Sequence, residues 1–325
     1  MKKLHPEVEL VTDRIVRDVI GGAVDTAREV MDAMAKVSAD SHAETLKDLY
    51  SELDQAAYAV MKVCPSFAPP INVLHMVLGS VENDIELEAS VEKAKQNLTK
   101  TKADFDSFIE NALEKISEIG AELINDGDRV FMFSMSSTIW KLLRKAKEKG
   151  KKFTVLVTEA RPDNEGLWTV DEMRKSEIPV EVSIDACMAE LIGTSDLVFA
   201  GVDAVGADGS VFNKAGTYLA ALAARELGVP FYFVSDSLKF DTATLLGLPY
   251  RSMAVETSKI FGDKPCPQGV KVTGGLFDKT PPGLITAIVT ELGPIHPSAC
   301  VNVIWNMKLS KRINELIPDW AYERL

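Results

Sequence analysis

A chain of 325 residues, 46% of them hydrophobic, is long enough for one large or two medium domains and too apolar for intrinsic disorder. A formal net charge of −12 disfavours nonspecific attachment to nucleic acid or to an anionic membrane, because both repel an acidic surface, although a local basic pocket stays compatible with it. The four cysteines form no CxxC pair, the start MKKLHPEVELVTDR lacks an apolar signal core, and no apolar run reaches about 18 residues, so a cytoplasmic protein with neither zinc site nor membrane span is expected.

Residues 1–125 read as a helical N-terminal domain. Apolar residues recur at helical spacing from Val8 through Val11, Ile15 and Val19 to Val24, Ala27 and Val30. Gly21, Gly22 and Ala23 interrupt that pattern. A second helix spans about 41–62 and ends at CPSFAPP, where three prolines cannot continue it; a third is expected from about Asn72. A long charged helix then covers about 82–124, with a solvated outer face. The pattern changes at Asp126. DRVFMFS, FTVLVT, IPVEVSI, DLVFAG and VPFYFVS read as strands separated by helices. Short strands alternating with helices of this length specify a parallel sheet with helical crossovers. The expected architecture is therefore α/β: a helical domain followed, over 126–325, by a doubly wound, Rossmann-like parallel-sheet domain.

In such a sheet, ligands bind beyond the carboxyl ends of the strands and near helix N-termini. That rule selects Ser134, Ser136 and Ser137 after the first strand and Arg161 and Gly166 after the second. It also selects Asp203, Asn213 and Lys214 after the fourth, where NKAGT is read as opening a helix, and Ser235 to Lys239 after the fifth. Arg161 can clamp a phosphate with two parallel hydrogen bonds, while Lys214 and Lys239 add point charge. Each residue has an ordinary reading as well. Ser136 and Ser137 could cap a helix, Asp203 could accept backbone hydrogen bonds or pair with Lys214, Arg161 could be a surface charge, and His75 reads as a helix-face residue. Neither GxGxxG after a strand nor GxxxxGK[ST] occurs, and no metal cluster stands out, so no cofactor is expected.

The stretch GVDAVGADGSVFNKAGTYLAALAARELGVPFYFVSDSLKFD (201–241) resembles the superfamily that joins the regulatory subunits of translation initiation factor 2B to methylthioribose-1-phosphate isomerase and ribose-1,5-bisphosphate isomerase. FDKTPPGLITAIVTELG, TEARPDNEG and, more weakly, GGAVDTAREV carry the same resemblance in the expected order. It implies a sugar-phosphate pocket with Asp203 as a catalytic acid and Gly22, Ser136, Arg161, Gly166, Asn213, Lys214 and Lys239 around the substrate. The catalytic cysteine of the isomerases falls on Ser134, and the arginine before their Gly-Ala falls on Gly21. The arginine-proline of their RPTAV-like segment is replaced by Cys64-Pro65. A serine hydroxyl does not exchange a proton near neutrality unless a base activates it, so the carbon acid–base role is left unassigned; Cys64 could approach the pocket from the helical domain. Asp203 favours the isomerases, because the regulatory subunits usually lack an aspartate there.

The resemblance implies a diverged aldose–ketose isomerase. The alternative is a non-catalytic regulatory subunit that senses a sugar phosphate or nucleotide and meets a translation-factor partner. A homodimer or higher oligomer built through the α/β domain is implied as well, with LITAIV and CVNVIW compatible with core or interface.

Overall fold

The computed structural model describes residues 4–17, 19–20, 22–64, 68–247 and 254–322. The chain separates into two compact units: Met1–Glu110 with Leu238–Pro249 and Asn302–Leu325, and Asn111–Ser237 with Tyr250–Val301. The first unit thus takes back two late segments that the sequence reading had placed in the sheet domain.

The helical unit contains α1 (Pro6–Val16), α2 (Ala23–Asp40), α3 (Leu46–Val63), α4 (Ala68–Glu86) and the first part of α5 (Val91–Glu122). Local chemistry sets the boundaries. Thr45 accepts the Asp48 N–H at 3.2 Å and starts α3. Gly22, with φ of +89°, is the N-cap of α2, and its carbonyl accepts the N–H and hydroxyl of Thr26. Gly21 lies outside the described residues. The third helix begins at Ala68, not near Asn72, because Pro69 and Pro70 sit in its first turn, where no intrahelical N–H is required of them. The long helix expected over 82–124 is two. Between them Glu88 takes a left-handed conformation (φ +49°), and Ser90 accepts the Lys93 N–H at 3.2 Å to start α5. No glycine or proline marks that break.

The core of this unit is a cluster that includes Val30, Met34, Leu53, Leu74 and Val77. Leu238, Ala243, Ile313 and Ile317 from the returning segments join it. Polar groups pin those segments to α4. The Asn72 side chain donates to the carbonyls of Leu238 (2.6 Å) and Phe240 (2.9 Å). Glu82 accepts from Ser310 Oγ (2.7 Å), Lys311 N (2.8 Å) and Tyr50 Oη (2.8 Å), placing a carboxylate at the start of the helix Lys311–Tyr322. Burial works against that charge, but these hydrogen bonds win and hold Glu82 below its ordinary value.

His75, 1% exposed, joins the same network. Its Nδ1 accepts the Ser310 N–H at 3.0 Å, so its Nε2–H donates to Thr242 Oγ1 at 3.2 Å. Burial pushes the imidazole down to about 4, against a smaller upward pull from Glu82. The unfolded chain takes up this proton below about pH 6.5 and the folded one does not. Stability therefore falls as the pH drops through 6.5 and levels off below about 4, a loss of about 3 kcal/mol from this group. Urea unfolding at pH 7.5 and pH 4 should show a smaller acid loss in His75→Gln than in the parent; equal losses would mean that His75 is not the titrating group.

In the second unit, β1 (Arg129–Phe133), α6 (Ser137–Glu148), β2 (Thr154–Thr158), α7 (Glu165–Lys175), β3 (Val180–Ser183), α8 (Met188–Gly193) and β4 (Leu197–Ala200) follow in alternation. Next come β5 (Ala204–Val205), β6 (Val211–Lys214), α9 (Thr217–Leu227), β7 (Phe231–Val234), β8 (Phe277–Thr280), β9 (Ala287–Thr290) and β10 (Gly293–Ile295). The main sheet has the order β10-β9-β7-β4-β1-β2-β3 and is parallel except for β10. Its inner strands are buried on both faces, hence the unbroken apolar runs such as LVFA and TVLV. LITAIV supplies β9, whose Ile288 and Val289 are fully buried. The C-terminal half of α5 lies against α6 through ion pairs, among them Glu114 with Lys145 (2.6 Å) and Glu118 with Lys149 (2.6 Å). That face is therefore partly a charged seam rather than simply solvated.

The second sheet, β5-β6-β8, is antiparallel and was not expected. Asn213 and Lys214 lie in β6 and do not open a helix; α9 starts at Thr217. The GADG turn closes the β5–β6 hairpin, with Gly209 at φ +78°.

Candidate functional site

The chain runs from β1 to β2 and β3 on one side, then crosses to β4 on the other side of β1. The carboxyl ends of β1 and β4 therefore flank the topological switch point, where a doubly wound sheet forms its usual ligand site. Ser134 follows β1 and Asp203 closely follows β4. The two loops touch: a Cβ on Gly201 would lie 3.1 Å from the Ser136 Cβ.

Ser134 is 2% exposed and left-handed, with φ of +65°. Ala160 (φ +56°) and Asn164 (φ +58°), in the loop after the neighbouring strand β2, share that conformation. The conformation costs roughly 1–2 kcal/mol for Ser134 and Ala160 and less for Asn164, so strain concentrates at the carboxyl ends of two neighbouring strands. Fixed partners hold it in place. Thr169 Oγ1 donates to the Ser134 carbonyl at 2.9 Å and accepts from Trp140 Nε1 at 3.0 Å. The Asp185 carboxylate accepts the N–H groups of Ala160 (2.9 Å) and Arg161 (2.8 Å).

The Ser134 hydroxyl donates to Glu165 Oε2. Glu165 Oε1 lies 2.7 Å from the Lys214 ammonium, and Lys214 also pairs with Asp163 at 3.1 Å. Asp163 in turn meets Lys259 at 2.6 Å. The result is a chain of alternating charge, Glu165–Lys214–Asp163–Lys259, at the base of the β2 loop. The Lys214 side chain is 8% exposed; burial alone would lower its pKa, but Glu165 and Asp163 raise it. Burial likewise pushes the Asp163 carboxyl up, and Lys259 and Lys214 bring it below its ordinary value.

Several selected residues therefore have internal work. Ser136 caps α6, its hydroxyl accepting the Ile139 N–H at 3.4 Å. The Gly166 N–H is donated to the Glu159 carbonyl, so it is not an open ligand donor. Asn213, 6% exposed, donates to Thr217 Oγ1 at 3.0 Å. The first N–H groups of α9 are taken by Asp278, which accepts from Gly216 (2.7 Å) and Tyr218 (3.1 Å). Burial pushes the Asp278 carboxyl above its ordinary value, and these two N–H groups partly offset the rise. Arg161 is exposed, and its guanidinium makes two long contacts, 3.4 Å each to Asn164 Oδ1 and the Lys259 carbonyl. The Asp203 N–H donates to the Phe212 carbonyl at 2.9 Å. Gly22, Cys64 and Lys239 belong to the helical unit, where Cys64 is the buried C-cap of α3.

Sequence reasoning singled out Arg161 and Gly166 in TEARPDNEG and passed over Asp163 and Glu165 between them. Two acids two residues apart, in a loop that also carries a chosen cation, were the available signal. Glu291, just beyond β9, was also missed. Its carboxyl is pushed up by burial, and Oε1 has no hydrogen-bond partner among the described residues. Among the described residues, no group of three or more His, Cys, Asp or Glu could hold a metal, and no helix is long and apolar enough to cross a membrane.

The sequence matches the initiation factor 2 subunit family over residues 19–297. The chain belongs to that family. Within it, the chain is 34% identical over 281 residues to a translation initiation factor eIF-2B subunit 2-like protein of Pyrococcus horikoshii, covering 86% of this chain and 93% of that one. It is 30% identical over 298 residues to ribose 1,5-bisphosphate isomerase of Archaeoglobus fulgidus, covering 92% of each. Among solved structures, translation initiation factor eIF-2B of Pyrococcus horikoshii superimposes with a TM-score of 0.72 at 31% identity, over 92% of this chain and all of that one. The family match and the superposition confirm the α/β, Rossmann-like architecture. The family's members thus carry names of both kinds, isomerase and initiation factor.

Proposed function

We propose that this family member binds a phosphorylated sugar in the crevice between β1 and β4 and interconverts its aldose and ketose forms, as a ribose-1,5-bisphosphate or methylthioribose-1-phosphate isomerase does. The observation that carries this reading is Asp203 beyond the end of β4, beside the loop that holds Ser134. Asp203 handles protons at the sugar oxygens. The phosphate falls to Arg161, whose guanidinium is exposed and weakly engaged. Lys214 serves instead to balance Glu165 and Asp163. The protein works as a homo-oligomer in the cytoplasm and needs no cofactor.

A second reading has its own support. Ser134 stands where the isomerases carry a thiol, and one relative at 34% identity is named eIF-2B subunit 2-like. On that reading the pocket senses a sugar phosphate or nucleotide and the output is contact with a translation-factor partner.

Phosphorus and proton NMR in heavy water, with ribose 1,5-bisphosphate, methylthioribose 1-phosphate and AMP in turn, separates the two. Ketose signals that disappear in Asp203→Asn support the isomerase. Line broadening without turnover supports the sensor. Unchanged spectra with all three compounds would overturn both.

A further inference from the structure

An aldose–ketose isomerase needs a group that takes a proton from one carbon and returns it to the next. Ser134 cannot do this alone, since a hydroxyl is not ionised near neutrality. Cys64 is the buried C-cap of a helix in the other unit. The group that touches Ser134 is Glu165.

We infer that Glu165 is the carbon acid–base of this site, taking over the role vacated by the family's cysteine. The inference rests on the isomerase reading and extends it. Three features equip Glu165. It sits at the first position of α7, in hydrogen-bond contact with the residue that follows β1, so it lies at the same switch point. Each carboxylate oxygen has one fixed partner, Ser134 on Oε2 and Lys214 on Oε1, which leaves a second lone-pair direction on each. Its side chain is 15% exposed, buried enough to be held and open enough to be reached. The left-handed Ser134 contributes by aiming its hydroxyl at Oε2.

The step balances without a further reactant. In a sugar 1-phosphate the bond between C1 and the ring oxygen breaks, and the ring oxygen takes a proton from Asp203. Glu165 removes the C2 proton, and the C–H electron pair becomes the C1=C2 bond of an enol phosphate. O2 then gives its proton to Asp203 as C2=O forms, and Glu165 delivers its proton to C1. Both carboxyls end as they began.

The test uses the full-length protein with ribose 1,5-bisphosphate and with methylthioribose 1-phosphate. It follows ketose formation, deuterium uptake from heavy water, ligand affinity and thermal unfolding. Glu165→Gln should lower ketose formation by about 10³-fold or more while ligand affinity changes little. Glu165→Asp keeps the charge opposite Lys214 and withdraws the carboxylate, so it should fold and lose about 10²-fold. Ser134→Ala should retain measurable turnover. Turnover at the parental rate in either Glu165 variant would overturn the inference and leave the isomerase reading standing. Binding without ketose or deuterium uptake in the parent protein would overturn the isomerase reading itself, and with it the role of Glu165.

Discussion

Gly166→Ala should be among the most damaging single substitutions in the sheet unit. A Cβ at this position would lie 1.7 Å from the Thr158 carbonyl oxygen and 2.9 Å from the Thr158 carbonyl carbon. Both are backbone atoms at the buried end of β2, so no side chain can swing aside. Helix α7 would have to move off the sheet, breaking the Gly166 N–H bond to the Glu159 carbonyl and drawing Glu165 away from Ser134. Forced backbone displacement in a close-packed interior places the expected cost on the order of 4 kcal/mol, at the upper end for one methyl group. Urea unfolding at pH 7 measures it directly. A parental midpoint would show that α7 is not seated against β2 at this distance.

Lys214→Met should cost about 3 kcal/mol at pH 7, since it leaves two partly buried carboxylates without their shared ammonium. Lys259 still serves Asp163, so the burden falls on Glu165. The double variant Lys214→Met, Glu165→Gln removes both charges and should regain most of the lost stability. A double variant as unstable as the single one would mean that Lys214 is held by packing rather than by charge.

The parallel sheet was legible because its strands are short, doubly buried and separated by whole helices; LVFA and TVLV need no partner to be recognised. The loops at the switch point followed from the order of those elements. The β5-β6-β8 sheet was not legible, because β5 has two residues and β6 carries Asn213 and Lys214, polar types that resemble a helix start when their burial is unknown. The kink at Glu88 escaped because a left-handed glutamate has no sequence mark. The Ser134–Glu165 contact escaped for a third reason. The residues are 31 apart in the chain and meet only because β1 and β2 are adjacent strands. Composition and spacing carry no such information. Lys214 was chosen for its charge; that charge is already spoken for by acids brought in from the β2 loop.

The late segments that return to the helical unit bear on the order of events during synthesis. Domains generally fold as units, the N-terminal one first, as the chain emerges. Here the first four helices emerge early, yet their shared core also contains Leu238, Ala243, Ile313 and Ile317. Glu82 and His75 likewise wait for Ser310 and Lys311. The sheet unit, whose last segment ends at Val301, has all its parts before then. A nascent chain therefore carries an unfinished apolar helical face until residues 310–317 have been made, by which time every segment of the sheet unit is already available.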